Sequence, residues 1–438
     1  MRIQQKGGFS PPESGVECLQ VRQMPAIRGL SMYWFLMCLL GAYVLVMAVL
    51  NLFYRFRIPH SSPRTGGPLV SILVPARNEE ANIAACLDSL FTQTYRNYEI
   101  IVLDDNSTDR TMEILKNYKA KHPGLRILSG GRKPEEWKGK TYAVHQLAEA
   151  AAGDFLYMTD ADTIHKPEAV AWAVDRMIER KLDAFSAMPV QKTRTFFEKL
   201  IVPIVYLPMF MLPYSLLNSK KNRRLSFAIG QLFVFKKEAY KEMGGFEAVK
   251  GRITEDQAVS RLLKKNGFNY QFLDTRGLVE CRMYGSLKEC FNGFAKNFHE
   301  MVAYIPFLIT ILILIMLALV VVPVILLGGS IGTSGTTLTA LSHALPGMLP
   351  GSTLLLVLPM AAFFTGWAVN LFFYRLSWYM PLLYPLFFTT FAVMLLSSIF
   401  NVATGRNPVW KSRVLSPSSA AFPAAAGPAQ SASATRTY

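Results

Sequence analysis

Two kinds of hydrophobic pattern share this chain. Long, nearly unbroken apolar runs lie toward both ends, and between them short apolar runs alternate with stretches of helical spacing. Leu30 to Phe53 is the first long run; at roughly 1.5 Å rise per residue it reaches across ~30 Å of hydrocarbon. A cleaved leader would have a shorter apolar core, so this run reads as a retained transmembrane anchor. From Leu69 the pattern changes. Leu69–Pro75, Glu99–Leu103, Leu125–Leu128 and Phe155–Met158 predict buried strands. Glu79–Gln93 (with Ile83, Leu87 and Leu90 at helical spacing), Thr108–Tyr118, Thr141–Ala152 and Glu255–Lys265 predict helices, with Thr108 and Thr254 as caps. Strands that are apolar throughout, alternating with helices, predict a mainly parallel sheet covered on both faces.

Leu200–Leu217 is apolar but broken by Pro203, Pro208 and Pro213, and Lys220, Lys221, Arg223 and Arg224 follow it. A span there would divide the strand–helix region across the bilayer, so it reads as an interfacial segment with its basic end on headgroups; a core helix competes. Three more apolar segments, Ile305–Leu327, Leu354–Tyr374 and Met380–Phe400, predict transmembrane helices. Residues 328–352 contain no Lys or Arg, whereas Arg375 separates the last two segments, and Arg55, Arg57 and Arg64 follow the first anchor. By the positive-inside tendency the middle region faces the cytoplasm, although Arg22 and Arg28 oppose this. The expected organisation is therefore 1–29 disordered, 30–53 anchor, 69–300 catalytic domain (200–217 interfacial), 305–400 three membrane segments, and 401–438 a largely disordered tail.

Composition supports a membrane protein with a polar middle. The chain is 51% hydrophobic and 17% charged, with a net charge of +16. No zinc-finger spacing or aromatic-interleaved basic run points to nucleic acid, so phosphate-bearing substrates and anionic lipid are the better explanations of the charge. Five scattered cysteines without a Cys-x-x-Cys pair read as reduced thiols.

Candidate chemistry gathers where strands end. Asp160 and Asp162 close the Phe155–Met158 strand one residue apart; two such carboxylates call for a positive partner, and a divalent metal with a diphosphate would supply it. An acidic turn alone also accounts for them. Pro75 leads into Asn78 and Glu79, and Asp104 and Asp105 precede Asn106, Ser107, Thr108 and Asp109. Capping explains Asn78, Ser107 and Thr108, but not both Asp104 and Asp105, which could accept from a nucleobase N–H or a ribose hydroxyl. Lys138-Gly-Lys140 opens a helix, either as a solvated basic loop or as an anion site. Glu255 and Asp256 fit a helix first turn, and one of them equally fits a general base.

The order Pro-x-x-Asn-Glu, Asp-Asp-x-Ser-x-Asp, Gly-Lys, Asp-x-Asp and Glu-Asp resembles glycosyltransferase family 2 over about residues 69–300. Trp137-Lys-Gly-Lys140, Arg282-Met-Tyr284 and Gly293-Phe-Ala-Lys-Asn297 further resemble its membrane-bound carotenoid and hopanoid members, of the diaponeurosporenoate type. The resemblance implies an α/β GT-A (nucleotide-diphospho-sugar transferase) domain with N- and C-terminal transmembrane helices, held at the cell membrane as a multi-pass protein. It implies Asp105 at uracil, with Pro75, Glu79 and Asp104 in the nucleoside pocket and Lys140 near the nucleotide. It further implies Asp160 at ribose or metal, Asp162 holding Mg²⁺ or Mn²⁺, Glu255 among the substrate-binding residues, and Asp256 as catalytic base. The implied reaction is inverting transfer of one sugar from a UDP-sugar, UDP-glucose being expected, to a lipid such as a carotenoid acid or another isoprenoid or glycolipid. Two alternatives stand beside it. A processive polysaccharide or cell-wall synthase is disfavoured because Phe294-Ala-Lys-Asn-Phe298 stands where Gln-x-x-Arg-Trp would fall. A non-catalytic membrane scaffold is disfavoured by the complete acidic set.

Overall fold

The computed structural model describes residues 38–54, 64–223, 225–304 and 376–406, with isolated positions besides. Expectations for residues 1–34, 305–364 and 415–438, including the segment Ile305–Leu327, most of Leu354–Tyr374 and both termini, lie outside the described residues. The chain divides into two compact units.

The larger unit carries, in order, β1 (Val70–Ala76), α2 (Ile83–Phe91), β2 (Tyr98–Asp104), α3 (Thr111–Lys121), β3 (Arg126–Ser129), α4 (Gly139–Ala150), β4 (Phe155–Thr159), β5 (Thr163–His165), α5 (Ala169–Glu179), β6 (Ala184–Met188) and β7 (Val190–Gln191). These are followed by α6 (Phe196–Ile201), α8 (Tyr214–Leu217), β8 (Leu232–Lys236), α9 (Lys237–Glu242), α10 (Glu255–Lys265), β9 (Tyr270–Asp274), β10 (Val279–Cys281) and α11 (Leu287–Tyr304). The smaller unit contains α1 (Cys38–Tyr54) and α7 (Leu207–Met211).

Seven strands form one sheet, ordered β3-β2-β1-β4-β8-β6-β9, in which β8 alone runs against the others. The mainly parallel, doubly covered sheet expected from the pattern is therefore present. Its strands read as continuous apolar runs because successive residues enter opposite cores. Val70, Ile72 and Val74 of β1 join Ile100 and Val102 against Leu87, Leu90, Leu115 and Val174. Leu73, Ile101, Leu103 and Leu156 join Val144, Leu147, Val259 and Leu263 on the other face. Each fully buried aliphatic side chain contributes about 1.5–3 kcal/mol. β5, β10 and β7 make a second, three-stranded sheet.

One helix boundary moved because its cap differs from the expected one. α3 starts at Thr111 and not at Thr108, because Asp109 rather than Thr108 accepts the Thr111 N–H, at 3.0 Å. α10 spans Glu255–Lys265 as expected, but the Thr254 side chain makes no capping bond. Leu200–Leu217 is α6, a 3-10 turn and the short α7 and α8, so its prolines break it well short of a span.

In the smaller unit, Pro213 has no N–H to return to the Met209 carbonyl one turn back. Asn51 of α1 takes its place: its amide Nδ2 donates to Met209 O at 2.6 Å and to Leu212 O at 3.4 Å. Tyr43 donates to the Met211 carbonyl. A helix α12 (Tyr384–Ala403) contains Leu386–Ala403, which is long and apolar enough to cross a membrane. Beyond Thr390 it packs on α11, with Phe391 against Phe298 and Ser398 Oγ donating to Ala295 O at 3.2 Å.

Candidate active site

Parallel strands deliver their carboxyl ends to one edge, where crevices form. The register sets Ala76 beside Asp104 and Leu73 beside Met158, so the loops after β1, β2 and β4 leave at similar height. The first two loops are laced to each other. Asn78 N donates to Ser107 Oγ at 2.9 Å and Thr108 N to Asn78 Oδ1 at 2.8 Å. Glu80 N donates to Asp109 Oδ2 and Arg110 N to Glu80 Oε2, both at 3.0 Å. Asn78 and Asn106 take left-handed backbone (φ 51° and 55°), which asparagine tolerates. Hydrogen bonds from the Thr111 hydroxyl and from backbone N–H groups outweigh burial and hold Asp109 below the usual carboxylate range. Asn78, Ser107, Thr108 and Asp109 thus build the scaffold. Asp104 and Asp105 are buried, and Asp104 Oδ1 has no hydrogen-bond partner among the described residues. A buried carboxylate oxygen in that condition suits a donor brought by a ligand.

The Asp160–Asp162 turn rests on a buried polar chain. The Thr163 hydroxyl donates to Asp160 O at 2.7 Å and the Thr159 hydroxyl to Gln231 O at 3.0 Å. Both hydroxyl protons are then spent, so His165 Nε2, 2.8 Å from Thr163 Oγ1 and 3.2 Å from Thr159 Oγ1, carries the donor hydrogen. Its Nδ1 accepts from the Tyr157 hydroxyl at 3.0 Å. The imidazole is neutral, and burial pushes its pKa down to about 3. Gln231 Nε2 also meets Cys281 Sγ at 3.0 Å, and burial, followed by the charge of Asp162, drives that thiol well above its usual range.

The chemistry converges across β4, β8 and α10. Because β8 is antiparallel, its start, Gly230-Gln231, lies at the edge where β4 ends. Gly230 N donates to Asp256 Oδ2 at 2.9 Å, which draws in the first turn of α10. A Cβ on Gly230 would lie 3.0 Å from Lys140 Nζ, 3.6 Å from Glu255 Oε1 and 3.7 Å from Asp256 Oδ2, so Gly230 stands directly against these three groups. Lys140, in the first turn of α4, reaches Asp160 Oδ1 at 2.6 Å and Glu255 Oε1 at 3.5 Å. Burial alone would depress its pKa, but Asp160 and Glu255 outweigh burial and raise it. Burial raises Asp256 to about 7, with Glu255 adding to the rise and Lys140 opposing it. Pro75, Lys140, Asp160, Gly230, Glu255 and Asp256 line one cavity.

The structure therefore brings Pro75, Lys140, Asp160, Glu255 and Asp256 into one cavity. Glu79, Asp105 and Asp162 lie on the loops after β1, β2 and β4, and Asp104 ends β2; none of the four is among its lining residues. Glu79 accepts from Asn82 Nδ2 at 2.9 Å, and its charge, with those of Asp160 and Asp162, acts on the Cys86 and Cys281 thiols. Asp160 and Asp162 offer hard oxygen donors that fit Mg²⁺ or Mn²⁺. Among the described residues no three His, Cys, Asp or Glu side chains form a ligand group, so most of the ion's shell would come from donor oxygens and water. Sequence reasoning missed three contributors. His165 could have been found from its alternation with Thr163. Cys281 carries no local signal; Lys296 lies in the Gly293–Asn297 motif but was given no role, and on α11 burial lowers its pKa while it feels Glu255, Lys140, Asp256 and Asp160.

Residues 71–244 match the model of the glycosyl transferase family 2 family. The 4,4'-diaponeurosporenoate glycosyltransferase of Staphylococcus haemolyticus is 29% identical over 234 residues, which is 52% of this chain and 60% of that protein. A β-monoglucosyldiacylglycerol synthase of Nostoc sp. is 39% identical over 97 residues, 22% of this chain and 20% of that protein. The chain thus spans 60% or less of the length of these relatives. The solved mannosyltransferase of Pyrobaculum calidifontis, in complex with GDP-Man and Mn²⁺, aligns over 83% of this chain and 99% of its own, at 19% identity and a TM-score of 0.43.

Proposed function

We propose that the chain, whose residues 71–244 match the glycosyl transferase family 2 model, is a glycosyltransferase that moves a single sugar, with inversion, from a UDP-sugar to a lipid acceptor at the membrane. The observation that carries the reading is the meeting of Asp160, Lys140, Glu255 and Asp256 in one cavity, with a carboxylate poised near neutral pH. UDP-glucose is the donor we favour, and a carotenoid acid or another isoprenoid or glycolipid the acceptor.

In this reading Asp105 and Asp104 accept hydrogen bonds from the nucleoside. The start of α4 with Lys140 faces the diphosphate, and Asp160 and Asp162 hold Mg²⁺ or Mn²⁺. The bound ion would neutralise charge developing on the leaving diphosphate. Asp256 takes the proton of the acceptor hydroxyl as that oxygen attacks C1 from the face opposite the leaving group. With a carboxylic acid acceptor, already ionised at neutral pH, Asp256 would instead orient it. The cavity is reached by a lipid because the domain is held at the bilayer, by α1 and α12 and by further apolar segments between Ile305 and Tyr374, as a multi-pass protein with this domain in the cytoplasm.

The test is incubation of membranes containing the protein with labelled UDP-glucose and other UDP-sugars in Mg²⁺ or Mn²⁺, followed by mass analysis of the lipid fraction. A lipid heavier by one hexose supports single transfer, a ladder of masses indicates a processive synthase, and no consumption of any UDP-sugar sinks the proposal.

A further inference from the structure

A cation already sits where the acidic cluster asks for one, and it belongs to the chain. Lys140 Nζ lies 2.6 Å from Asp160 Oδ1 and 3.5 Å from Glu255 Oε1. We propose that Lys140 competes with a divalent ion for Asp160, and that a nucleoside diphosphate relieves the competition by drawing the ammonium to itself, so that nucleotide and metal bind as one coupled event.

The reading above gives the ion two carboxylates, Asp160 and Asp162, and no three-ligand group exists among the described residues. An ion that must share Asp160 with an ammonium loses half of its protein ligands and meets like charge at close range. Gly230 adjoins the ammonium: a Cβ there would stand 3.0 Å from Nζ. The lysine can also leave. Its side chain is 39% exposed on a flexible four-carbon stem. It stands in the first turn of the twelve-residue helix α4, whose first N–H groups favour an anion. A diphosphate bound there would give the ammonium a second partner and the metal the oxygens it lacks. Each would then raise the other's affinity by the same factor, as linkage requires.

This rests on the nucleotide-site reading above, and the test separates the two. Mn²⁺ binding to the full chain in detergent is followed by electron paramagnetic resonance, with and without UDP, for the unaltered protein, Lys140→Met and Lys140→Arg, each checked for folding by circular dichroism. UDP is expected to tighten Mn²⁺ binding to the unaltered protein by about tenfold or more. Lys140→Met is expected to bind Mn²⁺ without UDP about tenfold more tightly than the unaltered protein and to show a smaller gain from UDP, whereas Lys140→Arg keeps the original behaviour. If folded Lys140→Met binds Mn²⁺ without UDP no more tightly than the unaltered protein, the competition is refuted while the nucleotide site stands. If UDP brings no Mn²⁺ to the unaltered protein, both fall.

Discussion

Replacing Asp256 by Asn separates catalysis from stability at a single carboxylate. Burial, with Glu255 adding to it, raises Asp256 to about 7, against an unfolded value of ~3.9. In the native state the group therefore keeps a proton that the unfolded chain has lost between about pH 4 and 7. The stabilisation this gives is present at the low end of that window and is lost as pH rises through 7. A shift of this size corresponds to roughly 2–4 kcal/mol of stability lost between pH 4 and 8. Catalysis runs the other way: a base must be ionised, so kcat/KM with an alcohol acceptor rises to a plateau above pH 7, and about a tenth of the plateau remains at pH 6. Asp256→Asn should lower kcat by ~10²–10⁴-fold and abolish the limb near pH 7. Over the same window it should flatten the fall in stability seen in urea melts. Losing one of the acceptors now used by Gly230 N and Gln257 N offsets part of the absolute gain, so the slope is the quantity to read. An unchanged pH–rate limb, or a loss below tenfold with an alcohol acceptor, would refute the base assignment.

Asp162→Ala should lower UDP release from the donor to background, with the melting temperature little changed; full UDP release would remove Asp162 from the metal site. His165→Gln should flatten the acid limb of stability: a base lowered to about 3 contributes stability above pH ~6.5 that is lost as pH falls below it, at up to ~1.4 kcal/mol per unit, readable in urea melts from pH 4 to 7. Gly153→Ala should destabilise by about 1–3 kcal/mol, because the new Cβ would meet Leu69 O, Ser71 N and Ser71 Oγ at 2.7 Å, and the backbone atoms of β1 cannot yield. Asn51→Leu should cost about 1–3 kcal/mol of thermal stability in detergent, since the Met209 carbonyl is left without the donor that Pro213 cannot supply; a neutral result would show that water or another group replaces the amide.

Particular residues show how far local reading reaches. The strands at Val70–Ala76 and Phe155–Thr159 follow from runs too apolar for any surface element, and α10 was legible to the residue from its charge and spacing. Thr108 was misread because a cap is defined by backbone geometry that composition does not encode: the neighbouring loop claimed the N–H that a helix would have left free. Thr254 holds the expected N-cap position, without a side-chain capping bond. Asn78 and Ser107 read as caps, and with Asp109 they proved to be the lacing between two loops that approach only when β1 and β2 pair.

The chain by itself determined the acidic edge. Parallel strands that end in carboxylates must put them on one side of the sheet, because strand direction and polarity are both written locally. Which carboxylate meets which cation was decided only by the tertiary structure. One antiparallel strand, β8, brings Gly230 to the end of β4, and Gly230 then fastens Asp256 and stands against Lys140. The Asp160–Asp162 pair calls for positive charge on its own account, but identifying Lys140 as one source of it takes a contact between helix and strand that no local pattern contains.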